Sequence, residues 1–89
     1  MTQQLYRNLT IVNELGLHAR SAAMLAKIAQ QAQGGVWLEK DERVDAKQII
    51  DVLMLAAAKG DTIRLTIDDD RDVDILDRIV RLVEDGFGE

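Results

Sequence analysis

Cysteine and proline are absent from these 89 residues, histidine occurs once, and the aromatic residues are one tryptophan, one tyrosine and one phenylalanine. Without cysteine the chain has neither a disulfide framework nor a thiolate nucleophile. One histidine cannot furnish a multi-histidine metal site, and with no thiolate beside it a structural zinc site is effectively excluded. A net charge of −5 with only three aromatic residues argues against nucleic acid. Phosphate contacts need a basic surface, and base stacking needs exposed rings. The opening Met1-Thr2-Gln3-Gln4-Leu5-Tyr6-Arg7 has no basic segment followed by an apolar run, and no later window approaches membrane-spanning length. These absences lead us to expect a cytoplasmic protein without membrane insertion, and the length fits one domain over 1–89.

The acidic surplus gathers at Asp68-Asp69-Asp70, Asp72 and Asp74. It reads as a solvated turn followed by the negatively charged start of a helix, where carboxylates complement the helix dipole. A calcium loop needs spaced ligands, a glycine and a closing glutamate, and they do not occur here in that order.

What is present centres on Gly16-Leu17-His18-Ala19-Arg20-Ser21-Ala22-Ala23. Upstream, Leu9-Thr10-Ile11-Val12 has strand character. Downstream, Ala22, Leu25, Ala26, Ala29 and Ala32 recur at the spacing of one helix face. His18 thus falls at the start of a helix, where unpaired N–H groups and partial positive charge favour an anion, a phosphoryl group above all. The same field favours a neutral imidazole, which keeps one ring nitrogen free as a nucleophile. Arg20 adds a planar fork of donors for phosphate oxygens. A lone histidine in a small domain is usually a surface or capping residue, and spacing alone does not separate that reading from a phosphoryl acceptor.

Asn13-Glu14-Leu15-Gly16-Leu17-His18-Ala19-Arg20 with Ala22-Ala23 resembles the active-site signature of the histidine-containing phosphocarrier (HPr) family of the bacterial phosphotransferase system. Val44-Asp45-Ala46-Lys47-Gln48-Ile49-Ile50 resembles that family's second signature, and Lys59-Gly60-Asp61-Thr62-Ile63-Arg64-Leu65 its third, so the resemblance runs over nearly the whole chain in order. The family usually has proline where this chain has Ser21, and serine restores an N–H donor in a first helical turn at little structural cost. The Ser21 N–H or hydroxyl could then add a bond to a phosphoryl group. Gln48 stands where many members from low-GC Gram-positive bacteria carry a phosphorylatable serine, so that regulation should be absent. Asp51 puts a charge where glycine is common.

The elements expected in order are a strand from Leu5 to Val12, with Asn13 tying together the loop that presents His18, and a helix from about Ala19 to Gln33 ended by a left-handed Gly34-Gly35. A strand over Val36–Lys40 follows, with Val36 and Leu38 on one face and Trp37 on the other. After a turn at Asp41-Glu42-Arg43, Val44-Asp45-Ala46 forms a brief strand. A second helix starts from a capping box at Asp45-Ala46-Lys47-Gln48 and stops at Lys59-Gly60. Thr62-Ile63-Arg64-Leu65-Thr66-Ile67 alternates as a half-buried strand. Asp72 caps a last helix whose apolar stripe is Val73, Leu76, Ile79, Val80 and Val83, and Gly86 to Glu89 reads as a frayed tail. Strand, helix, strand, strand, helix, strand, helix (βαββαβα), with three helices on one face of four strands, is an α+β two-layer open-faced sandwich. The resemblance implies that the sheet is antiparallel.

Ile49, Ile50, Val52, Leu53, Met54 and Leu55 are apolar almost all round their helix, so part of the second helix should remain exposed for a partner. The resemblance implies that partners meet Leu17, Lys27, Ile49, Ile50 and Leu53. It further implies that enzyme I phosphorylates His18 at Nδ1, that Arg20 and the amides of Ala19, Arg20 and Ser21 steady the phosphoryl oxygens, and that the group passes to an IIA-type acceptor. Such a protein is a carrier, not an enzyme, needs no cofactor or metal, and works as a monomer. Two alternatives keep the fold: a nitrogen-type relay in which phospho-His18 controls a regulator, and an unphosphorylated interaction module in which His18 only caps the helix.

Overall fold

The computed structural model describes residues 5–89, so the first four residues of the opening segment considered above lie outside the described range. Its strands are β1 (Tyr6–Thr10), β2 (Val36–Glu39), β3 (Arg43–Asp45) and β4 (Thr62–Ile67), and its helices are α1 (Ala19–Ala29), α2 (Ile49–Met54) and α3 (Val73–Glu84). The strands form one antiparallel sheet in the order β1-β4-β2-β3, with Leu9 opposite Ile63 and Leu38 opposite Leu65. Strict alternation in β4 sends Ile63, Leu65 and Ile67 inward, where they meet Leu9, Val36, Leu38 and Val44. The three helices cover that face, with α1 packed against both α2 and α3, and the result is the expected two-layer sandwich.

The small residues of α1 decide how closely it packs. Ala22, Leu25, Ala26 and Ala29 are fully buried at helical spacing. The helix ends sooner than expected, at Ala29, and the chain tightens through bonds from Gln31 N–H to Ile28 O (3.0 Å) and Ala32 N–H to Ala29 O (3.1 Å). Neither Gly34 nor Gly35 takes the positive φ expected of a helix stop. Gly35 is needed for room, because a side chain there would run into the Asp68 carboxylate and the Trp37 indole.

The predicted caps of α2 and α3 are both replaced. Gln48 begins α2 without a side-chain cap, and Asp45 accepts from the Lys47 N–H at 2.9 Å in a local turn instead of closing a box with Gln48. This helix stops at Met54, well short of Lys59-Gly60. Ala56 turns the chain with φ +51°, which brings Ala57 back to accept the Leu17 N–H at 2.9 Å. Asp72 makes no cap bond to α3. Asp72 is 2% exposed, and its carboxylate accepts from the Gln33 N–H (2.8 Å) and the Gly34 N–H (2.9 Å), satisfying two backbone donors of the segment between α1 and β2. Asp69 caps the short 3₁₀ turn before α3, accepting from the Arg71 N–H at 2.9 Å.

The segment after α3 is the largest departure from expectation. Gly86–Gly88 forms a 3₁₀ turn, and Phe87 within it is 1% exposed, among the bulkiest fully buried side chains. The tail does not fray, because its one aromatic ring inserts into the core.

Candidate functional site

His18 is the N-cap of α1, with extended backbone (φ −112°, ψ −176°) and its ring folded over the first helical turn. The Arg20 N–H donates to Nδ1 at 3.3 Å, and the Ser21 N–H is directed at the same ring. In return the Ser21 hydroxyl accepts from the His18 N–H at 3.0 Å, and it reaches Gly16 O at 3.1 Å. This reciprocal capping box fixes the imidazole without proline. Ser21 is fully buried, so its hydroxyl belongs to the cap, and only its N–H faces the ring.

The loop beneath is held from two sides. Asn13, buried, donates through Nδ2 to Gly16 O at 2.9 Å, while the Gly16 N–H returns a bond to Asn13 O at 3.1 Å. Gly16 takes φ +64° against the segment after α2, where a Cβ would stand 2.5 Å from Ala57 O. The stretch after α2 and the histidine loop are therefore fastened together.

The residue that sequence reasoning missed is Glu89. Its Oε2 lies 2.6 Å from Nε2 of His18, and its Oε1 accepts from Asn13 Nδ2 at 3.2 Å. The His18 bond first, and then the Asn13 bond, hold the Glu89 carboxyl below the usual carboxylate range, and the charge of Arg20 acts in the same direction. The hydrogen-bond network assigns the tautomer: Nδ1 accepts and carries the lone pair, whereas Nε2 bears the proton and donates to Glu89. The Arg20 guanidinium is exposed and has no hydrogen-bond or ion-pair partner among the described residues. Nucleophilic nitrogen, helix-end amides and an uncommitted guanidinium meet at one point, an arrangement suited to receiving an anionic electrophile.

On α2, which packs against α1, the apolar face is open, with Ile50 71% and Met54 64% exposed, Ile49 exposed and Leu53 half-buried. Lys27 is also exposed, on α1. Leu17 differs from the expectation of a contact residue. It is buried in the core under the loop, and Leu15, 69% exposed, presents the loop's apolar surface instead.

The family model described as the PTS HPr component phosphorylation site matches residues 5–85. The phosphocarrier protein HPr of Cupriavidus necator is 41% identical over 86 residues, covering 96% of this chain and 97% of that protein. That of Pseudomonas putida is 41% identical over 85 residues, covering 93% and 94%. Among solved structures, HPr-C-His from Thermoanaerobacter tengcongensis superposes with a TM-score of 0.88 at 33% identity, over 94% of this chain and 96% of that one.

Proposed function

The chain belongs to the HPr family of the phosphotransferase system and is a phosphocarrier; from that premise we propose that Nδ1 of His18 accepts the phosphoryl group from enzyme I and returns it to an IIA-type acceptor. The observation that carries this reading is the hydrogen-bond pair on the ring, which leaves Nδ1 as the lone-pair nitrogen and directs it at the amides of the first turn of α1. When phosphorus bonds to Nδ1, the Arg20 N–H exchanges its nitrogen acceptor for a phosphoryl oxygen. The Ala19 and Ser21 amides and the Arg20 guanidinium add further donors where charge develops. The protein supplies position and electrostatics, while its partners supply the donor and the acceptor.

Ile49, Ile50 and Leu53, with Lys27 at the margin, form the docking surface in this reading, joined by Leu15 in place of Leu17. The site is complete within one chain, so a monomer suffices. No helix among the described residues is long and apolar enough to cross a membrane, and a cytoplasmic carrier meeting soluble partners is consistent with that.

Intact mass after incubation with phosphoenolpyruvate and cognate enzyme I tests the proposal. One added phosphoryl group, acid-labile, alkali-stable and missing from His18→Ala, is the expected result. No addition, under conditions that charge another phosphocarrier, would overturn it.

A further inference from the structure

We propose that Glu89 is a positioning residue for phosphoryl transfer, its carboxylate holding the proton on Nε2 of His18 so that the ring gives up and recovers the phosphoryl group without any proton moving. The inference rests on the functional reading above and names a group which that reading does not need.

The geometry gives the ring two different neighbours. On the Nδ1 side stand backbone donors, which cannot accept a proton, and on the Nε2 side stands a carboxylate, which cannot donate one when ionised. Each neighbour selects the same tautomer. Asn13 fixes the carboxylate from behind: a single buried amide nitrogen bonds both Gly16 O and Glu89 Oε1, so the loop that carries His18 and the turn that carries Glu89 are registered to one another. Phe87, two residues before Glu89, anchors that turn in the core.

The chemical step balances on this arrangement. The Nδ1 lone pair forms the N–P bond as the donor's bond to phosphorus breaks, and its electron pair leaves with the donor. The ring now bears phosphorus on Nδ1 and the original proton on Nε2, and is cationic. A cation at the N-terminus of α1 is opposed by the helix dipole, and Glu89 offsets that opposition. In the return step the N–P bond breaks, its electron pair falls back to Nδ1, and the leaving group is a neutral imidazole. If the Nε2 proton were lost first, the leaving group would be an imidazolate, a far poorer one. Arg20 is the other charged group whose field reaches the carboxylate, and it favours the ionised form.

The test compares the full chain with Glu89→Gln and Glu89→Ala. Nitrogen NMR of the unphosphorylated ring should show Nε2 protonated and Nδ1 bare in the native protein, and a mixture of tautomers in Glu89→Ala. After charging, onward transfer from phospho-His18 to an IIA acceptor should slow roughly two- to fivefold in either variant, the scale of an exposed ion pair. Unchanged tautomer populations together with unchanged transfer would overturn the role of Glu89 while leaving the carrier intact. Failure of the native protein to be charged at all would overturn the carrier reading instead, and the tautomer measurement would still decide whether Glu89 orients the ring.

Discussion

Replacing Phe87 by alanine should remove a side chain from the core, although that residue lies in a segment whose sequence suggests a loose end. The ring is 1% exposed and belongs to the main buried cluster. Truncating a buried phenylalanine costs about 3–5 kcal/mol, the lost transfer energy plus the cavity left behind. A chain of this length has a total stability of about 4–13 kcal/mol, so the substitution would remove a large share of it. Alanine leaves the backbone at Phe87 in its left-handed conformation (φ +59°), so strain there changes little and the difference reports burial. Urea unfolding should show a lower midpoint with an unchanged slope, and the melting temperature should fall by about 12–40 °C. Phe87→Leu should recover part of the loss. A change below about 1 kcal/mol for Phe87→Ala would refute the reasoning, because only a solvated tail loses so little.

Three further outcomes follow from other parts of the molecule. Gly16→Ala sets a side chain at φ +64° and 2.5 Å from Ala57 O, which is backbone and cannot turn aside; strain of about 1–2 kcal/mol plus overpacking of about 1–3 kcal/mol should appear in urea unfolding, with slower charging of His18. Asp69 is held down from 3.8 to about 2 by the Arg71 side-chain bond first and then by the Arg71 N–H. Because the folded value is the lower one, its contribution to stability is present above the ordinary value and is lost as pH falls toward about 2, and a carboxyl-carbon NMR titration should place its midpoint there. Ile50→Ser should shift stability by less than about 0.5 kcal/mol, since the side chain is 71% exposed, yet weaken binding of enzyme I by about fivefold or more in calorimetry. Unchanged affinity would remove Ile50 from the docking surface.

Strand β4 was legible because its signal is periodic and local: six alternating residues define both its limits and its buried face. The helix ends were less so. The Gly34-Gly35 pair suggested a stop for α1, but α1 ends at Ala29, and Asp72, far along the chain, receives the N–H groups of Gln33 and Gly34 in the segment that follows. That same contact removed Asp72 from the cap of α3. Ala56 has no turn signature, yet it takes a positive φ because Ala57 must reach Leu17. In each case a long-range hydrogen bond overrode a short-range propensity. Only Phe87, a large apolar residue between two glycines, carried a signal that could have been read as an anchor.

The candidate site divides along the same line. His18, Arg20 and Ser21 lie within four residues, and the capping box that joins them is a local motif, so one half of the site could be read from its spacing. The other half arrives from across the chain: Glu89 meets Nε2 only because Phe87 is buried and Asn13 bridges the two segments. The local half alone accounts for a nucleophilic Nδ1 but leaves the proton on Nε2 free to exchange with water. The distant half alone would grip the ring without aiming it. A substitution such as Phe87→Ala should therefore leave His18 capping α1 while releasing its second nitrogen, so its chemical effect should resemble that of Glu89→Ala even though the two residues do different structural work. Different tautomer populations in the two variants would mean that Glu89 finds His18 without the anchor.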